Sequence, residues 1–323
     1  MEDVIEDSCY CLKVIKSLEK LVTILIGDVG KVNPVVYEHA QVKKMLHYVN
    51  VWFLPFRWGI NSYRGCEHNC VYCNARYTHE YLGLSTGEFA NRIIIKDNAA
   101  EVLDREFSKK TWNTNLTVDL ATVTDPYQPV ENKFGITREL LNVFLRHQNS
   151  LLLTTKSNLV LRDIDVLTEI SRKGFLNVAI TLPTLNEELR KKIEPRAATV
   201  EDRLNTIQKL HEAGITVGVI AVPLLPFISD REEDVDELLK TVSDKGADYA
   251  VVDLLNFRGQ TRDRFMIFLE TYDQSLIPKY EELYKTSYCD KNFAKRIRSQ
   301  ANKLLRKYRV DNFDKMFSFR RNK

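Results

Sequence analysis

Apolar positions along this chain follow two periods. Short, nearly continuous apolar runs at residues 58–63, 116–122, 151–155, 176–182, 216–222 and 249–254 have the length and β-branched content of strands. Between them, residues 99–109, 137–147, 161–172, 200–213 and 232–244 repeat apolar side chains every three to four positions, the spacing of helices with one buried face. Alternation of this kind predicts a parallel sheet joined by right-handed crossovers. Val217, Val219, Ile220, Ala221 and Val222 are apolar almost without interruption, as expected for a strand covered on both faces. Gly174, Gly214 and Gly246 each follow the end of a helical pattern, where a left-handed residue commonly stops the helix. Six repeats are fewer than a closed eight-fold barrel contains, and periodicity does not choose between an open doubly wound sheet and a partial barrel.

Composition adds little until charge is followed along the chain. With 323 residues, 44% hydrophobic and 28% charged, the sequence is that of a globular protein, not a fibrous or disordered one. Its net charge of +3 demands no acidic partner, but residues 295–323 hold eleven Lys or Arg against two Asp. That basic end fits nucleic-acid contact. It equally fits the solvated side of a helix, since Phe293, Ile297, Ala301, Leu304, Leu305 and Tyr308 recur at helical spacing. Residues 1–8 are acidic where a secretory signal would be basic, and the apolar run 21–26 is too short to span a bilayer. Six cysteines without an export signal point to reduced thiols in the cytoplasm. The Cys9 and Cys11 pair is a weak metal motif, and Cys289 stands alone.

Chemistry concentrates in GCEHNCVYC, which carries Cys66, Cys70 and Cys73. Three thiolates spaced by three and then two residues suit an iron-sulfur centre in which one metal keeps no protein ligand. Structural zinc is the competing reading. It would need a fourth ligand such as His68 or His79, because no second pair of close cysteines follows.

The triplet, with Tyr72 before its last cysteine, resembles the cluster loop of the radical S-adenosylmethionine superfamily. The longer string NSYRGCEHNCVYCNARYTHEYLGL, with TDPYQP at 124–129, TTKS at 154–157 and EPRA at 194–197, is similar to the subfamily grouped with spore photoproduct lyase and often labelled DNA repair photolyase-like. The resemblance covers about residues 55–260. It implies a partial (β/α)6 TIM-like barrel over residues 51–260, with an N-terminal extension (1–50) before it and a helical, basic C-terminal region (261–323) packed on it. It further implies a 4Fe-4S cluster on Cys66, Cys70 and Cys73, and reductive cleavage of S-adenosylmethionine to a 5′-deoxyadenosyl radical. An electron donor such as a ferredoxin or flavodoxin is implied as a partner, and a nucleic acid as a possible substrate, with no membrane involved. The alternative class is a non-catalytic nucleic-acid-binding protein stabilised by zinc or a cluster.

Individual residues follow from the same resemblance. Lys156 at a strand end takes the cofactor carboxylate, Thr181 contacts the same ligand, and Tyr72 covers the adenine. Arg196 offers a fork to a carboxylate or carbonyl, unless Glu194 pairs with it. Asn61, Tyr63 and Arg64 are placed to tune the cluster through hydrogen bonds to its sulfurs. Asp125, Tyr127 and Gln128 fall in the radical cavity, with Asp125 and Tyr127 as catalytic candidates and Tyr127 as a hydrogen-atom relay. The plainer readings are a solvated strand-end lysine, a core tyrosine, a strand threonine and a proline-shaped turn. One departure matters: the lyases of this subfamily carry a quenching cysteine on the segment matched by residues 121–125, where this chain has Thr122 and no cysteine. Thymine-dimer repair by that hydrogen-return route is therefore not expected.

Overall fold

The computed structural model describes residues 34–51, 54, 56–258 and 261–311. Cys9, Cys11, the apolar run 21–26 and the basic tail beyond residue 311 lie outside the described residues. In chain order the elements begin with β1 (Val36–Ala40), β2 (His47–Tyr48), β3 (Trp58–Ile60), β4 (Tyr63–Arg64), β5 (Arg92–Lys96), α1 (Ala99–Phe107) and β6 (Val118–Leu120). Next come α2 (Glu131–Phe134), α3 (Ile136–His147), β7 (Leu151–Thr155), α4 (Ile164–Lys173), β8 (Leu176–Thr181), α5 (Glu187–Ile193) and α6 (Val200–Glu212). The remainder is β9 (Thr216–Leu224), α7 (Glu232–Asp244), β10 (Tyr249–Leu254), α8 (Thr261–Tyr272), α9 (Ile277–Leu283) and α10 (Lys291–Lys307).

Strand order decides what periodicity left open. The main sheet runs β10-β9-β8-β7-β6-β3-β2, and β3, β6, β7, β8, β9 and β10 are parallel neighbours in chain order. A doubly wound sheet reverses its strand order at a switch point. This one never does, so same-handed crossovers all place their helices on one side and the sheet bends into a partial (β/α)6 barrel. The antiparallel β2 covers its first edge. Val118, Leu120, Leu151, Leu153, Val178, Ile180, Val217 and Val219 share one core with Leu140, Leu167, Ile207 and Leu239 of the surrounding helices. The alternate residues, including Asp119, Leu152 and Asn177, face the lumen.

The first crossover departs most from the sequence pattern. Inside it sits a second sheet in the order β1-β5-β4, in which β1 pairs in parallel with β5 and β4 pairs antiparallel. It brackets the cysteine loop from both sides. The pattern at 161–172 begins later, at Ile164, because Asn158–Asp163 forms a 3-10 turn started by Ser157, whose hydroxyl accepts from the Leu159 amide. Gly214 and Gly246 adopt the left-handed conformation, with φ of 75° and 88°. Gly174 does not: its φ of −154° is ordinary extended backbone leading directly into β8. In α10, Ile297, Ala301, Leu304 and Leu305 are buried and the Lys and Arg between them are exposed.

Candidate cluster and cofactor site

Gly65 turns the chain from β4 into the cysteine loop. Its φ is 87°, and a Cβ there would lie 2.8 Å from the carbonyls of Arg92 and Phe89, so only glycine fits. The loop is then fixed to three other segments. Glu67 donates its amide to Gln128 Oε1 (2.8 Å), and its buried carboxylate accepts from Tyr37 Oη (2.8 Å) and the Val130 amide (2.5 Å). The Val71 amide donates to the Ile193 carbonyl at 2.9 Å, beside EPRA. Thr261, opening α8, donates its hydroxyl to the Cys73 carbonyl at 3.2 Å.

The three thiols lie close enough to act on one another electrostatically. Burial pushes the Cys66 thiol well above its ordinary range, and Asp125, Cys70 and Cys73 add to the rise. Burial also takes Cys70 up to about 12, against the pull of Lys156. Among the described residues no group of three or more His, Cys, Asp or Glu could hold a single metal ion. Both histidines on which a zinc site would draw face other groups. His68 faces Asp125 (Nδ1 to Oδ2, 3.3 Å), and His79 is fully buried with Nε2 at the Arg92 carbonyl (2.9 Å).

Around the thiols stand cations that the motif did not reveal. Arg76 and Arg264 both donate to Asn69 Oδ1, at 2.9 and 2.8 Å. Burial lowers both, Arg264 to about 10 with Arg76 adding to the fall, while the cysteines favour their charge. A buried guanidinium beside a half-buried one is costly unless an anion lies between them. A cluster held by three soft thiolates is such an anion, so donor set and surroundings fit a 4Fe-4S group.

A second network runs from Cys70 across the barrel mouth. Glu194 and Arg203 are both fully buried and form an ion pair at 2.5 Å. The Tyr72 hydroxyl donates to Glu194. Arg203 donates to the carbonyls of Thr181 (2.9 Å) and Ala198 (3.0 Å). Glu194 thus pairs with Arg203 and not with Arg196, which reaches instead to the Ala90 carbonyl (3.3 Å) and Asn91 Oδ1 (3.4 Å). Lys156 places its ammonium 5.9 Å from the Tyr72 ring centroid, occupying one face of that ring. Burial alone would lower the Lys156 pKa, yet Cys70, Glu194 and Asp125 outweigh it and the value is raised. Thr181 is buried at the end of β8.

Asp125 is a clamp. Its carboxylate accepts from Thr155 Oγ1 (2.7 Å) and from the amides of Tyr127 (2.9 Å) and Lys156 (2.7 Å). Burial would raise its pKa, but His68, Thr155 and Lys156 hold it down at about 2. Tyr127 is fully buried, with its hydroxyl on Asp163 Oδ2 (3.0 Å) and Arg162 over its ring. Tyr63 likewise turns away, to Glu131, and Arg64 donates to the Thr78 carbonyl. Asn61 joins β3 to the segment after β6 through Thr122 Oγ1 (2.7 Å) and the Val123 amide (3.0 Å). Cys289 lies elsewhere, buried beside Tyr284.

Fold, strand-end motifs and thiol pocket together define a class. The chain belongs to the radical SAM superfamily, whose family model matches residues 60–242. It is therefore an enzyme of radical chemistry that uses a 4Fe-4S cluster and S-adenosylmethionine, which displaces the non-catalytic zinc-protein alternative. More particularly, it is 34% identical over 263 residues to an uncharacterized protein of Mycobacterium tuberculosis, covering 81% of this chain and 77% of that one. Similarity to the spore photoproduct lyase of Clostridium acetobutylicum is weaker: 23% identity over 237 residues, 72% of this chain and 66% of the lyase. A solved spore photoproduct lyase variant with bound AdoMet and dinucleoside spore photoproduct superposes with a TM-score of 0.60 at 15% identity, covering 84% of this chain and 79% of that one. No helix among the described residues is long and apolar enough to cross a membrane.

Proposed function

We propose that this chain binds its cluster through Cys66, Cys70 and Cys73 and reductively cleaves S-adenosylmethionine to generate a 5′-deoxyadenosyl radical at the barrel mouth. The observation that carries this reading is the convergence of three thiols with buried Arg76 and half-buried Arg264 and Lys156. When bound, the cluster supplies the electron and an open iron for the methionine moiety. The protein's part is to bind, orient and shield. Lys156 stands at the end of β7 with its charge favoured and takes the cofactor carboxylate. Asp125 holds the Lys156 backbone and His68 in place, acting as a positioning residue. Tyr72, fixed by Glu194, walls the adenine side, and Thr181 closes it from β8. Arg196 ties EPRA to the small sheet, and Tyr127 keeps the wall behind the mouth dry. Lys156→Met should weaken S-adenosylmethionine binding to the reconstituted protein by about tenfold or more, read by calorimetry, with iron content unchanged. Equal affinity would remove Lys156 from the site.

The electron comes from a low-potential donor such as a ferredoxin or flavodoxin, in the cytoplasm where the free thiols stay reduced. A nucleic acid is the substrate class favoured by the surface beside the mouth. There, a groove of about 1740 Å³ is lined by Phe227 after β9, Asn256 after β10, Tyr288, and Lys295, Arg296 and Lys303 of α10. Tyr288 and Phe227 are 52% and 43% exposed, which offers bases a stacking platform between cations that track phosphates. A fluorescent single-stranded oligonucleotide should bind with an affinity that falls steeply with salt. Lys295→Glu/Arg296→Glu/Lys303→Glu should weaken it by about tenfold or more at 100 mM salt. An unchanged isotherm would remove the groove from substrate binding.

A further inference from the structure

Seven carboxylates are buried among the described residues: Glu67, Glu106, Asp119, Asp125, Glu131, Asp163 and Glu194. Six of them are satisfied. Glu67, Asp125 and Glu194 are described above, Glu106 accepts from the Met45 and Leu46 amides, Glu131 from the Thr137 amide and Arg162, and Asp163 from Arg138 and Arg162. Asp119 accepts no hydrogen bond from any described residue, and no cation acts on it. Burial alone lifts its pKa to about 7. A carboxylate without a partner in such a place costs the fold several times what a satisfied one does.

Its position explains what the cost serves. Asp119 is the middle residue of β6, in register with Gly59 of β3 and Leu152 of β7, and Leu152 is in register with Asn177 of β8. These residues share the lumen face. Tyr249 lies across the floor and donates its hydroxyl to Asn177 Oδ1 at 3.0 Å. It can do so because position 218 is glycine: a Cβ there would fall 2.1 Å from Tyr249 Cζ. One register step nearer the mouth stand Thr154, Ala179 and Gly218, with Tyr249 beside Gly218, and over Gly59 lie Thr122 Cγ2 and His47 Nε2, 2.5 and 2.7 Å from where a Cβ would be. Asp119 keeps 5% of its surface exposed, beneath that layer. His47, on the same face beside Gly59, is held neutral, since burial and then Lys96 lower it to about 4.

We propose that Asp119 is the substrate-recognition group of the barrel lumen, its carboxylate accepting from an N–H-bearing head group of the substrate. The proposal rests on the radical-enzyme reading, which makes the lumen below the cofactor the reaction chamber. Two sources share this chemistry: a protonated amine or guanidine, and the N–H edge of a nucleobase. Neither Leu152 nor Gly59 competes for the carboxylate, and its neighbours across the lumen, Asn177 and Tyr249, bond to each other and not to it. Ordinary structural use of a buried carboxylate would look like Glu106 or Asp163, with donors already in place.

Calorimetry or ligand-observed NMR on the cluster-reconstituted protein, saturated with S-adenosylmethionine, tests this with methylguanidinium, methylammonium, guanosine and thymidine as probes. At least one should bind saturably to the wild type and about tenfold or more weakly to Asp119→Asn, which keeps shape and removes the charge. Thr154→Leu, which enlarges the lumen-facing residue one register step above Leu152, should produce the same loss. Binding by the cationic probes alone assigns an amine or guanidine substrate, and binding by a nucleoside assigns a base edge. The proposal is overturned if no probe binds the wild type, or if Asp119→Asn binds as tightly. Loss of cluster iron from Asp119→Asn would also overturn it, by showing a role in folding. Failure of the wild type to bind S-adenosylmethionine at all would instead overturn the radical-enzyme reading on which it rests.

Discussion

Cys70→Ala should leave the anaerobically reconstituted protein with roughly a tenth or less of the wild-type iron and without its visible absorption. Cys66→Ala and Cys73→Ala should do the same, because each thiol holds one corner of the same group. Cys289→Ala should retain full iron, since Cys289 lies beside Tyr284, away from the loop. The comparison also separates loss of ligation from loss of fold. Cys70 is buried but small, and its replacement by alanine removes one sulfur from a loop still anchored through Gly65, Glu67 and Val71. Circular dichroism of the unloaded variants should therefore match the wild type. Full iron in Cys70→Ala would contradict the assignment of the three ligands.

Arg203→Met should destabilise the protein by about 3–5 kcal/mol in denaturant unfolding, the usual cost of leaving one partner of a buried ion pair behind. The variant leaves Glu194 with the Tyr72 hydroxyl and the more distant Lys156 charge, and removes the Arg203 donors from the carbonyls of Thr181 and Ala198. The paired Arg203→Met/Glu194→Gln protein should recover part of the loss, because no bare charge remains. The pH dependence has a definite sign. Burial raises the Glu194 pKa, but Arg203 and then Lys156 more than reverse this, so the folded value lies below the unfolded one. Its stabilising contribution is thus present above the unfolded pKa, near 4.5, and is lost as pH falls through the lower folded value. Arg203→Met should flatten that acid limb. A loss below about 1 kcal/mol would show that the pair is not closed in solution.

Much of the barrel was legible because its signals are local. The runs at 151–155 and 249–254 and the helix at 232–244 match β7, β10 and α7 at both ends. Each is apolar or amphipathic over its whole length and bounded by polar or turn residues. The choice of partial barrel over doubly wound sheet was not legible in the periodicity, since strand order is set by which edges pair and no local period encodes it; it came from the resemblance carried by the cysteine loop and the strand-end motifs. The small sheet was missed for a related reason. β5 is the run RIIIK inside a crossover, and its partner β1 lies more than fifty residues away. The cysteine loop was fully legible, whereas its electrostatic surroundings were not. Arg264 lies beyond the stretch that resembles the superfamily, and only the fold brings it to Asn69. Arg203 did leave a trace: with Val200, Ile207 and Leu210 it occupies the buried stripe of α6, where an arginine needs a buried anion. Asp119 left a similar trace as an acid between Val118 and Leu120 in an apolar strand, and its lack of a partner emerged only from packing.

Formation of 5′-deoxyadenosine is the decisive readout of radical chemistry in this chain. The reconstituted wild type, given S-adenosylmethionine and a strong reductant without oxygen, should release 5′-deoxyadenosine and methionine in equal amounts, while Cys70→Ala releases neither. A wild type that holds its full complement of iron, shows an intact cluster spectrum and binds S-adenosylmethionine yet forms no 5′-deoxyadenosine, with or without the oligonucleotide and lumen probes, would contradict radical cleavage of the cofactor by this chain.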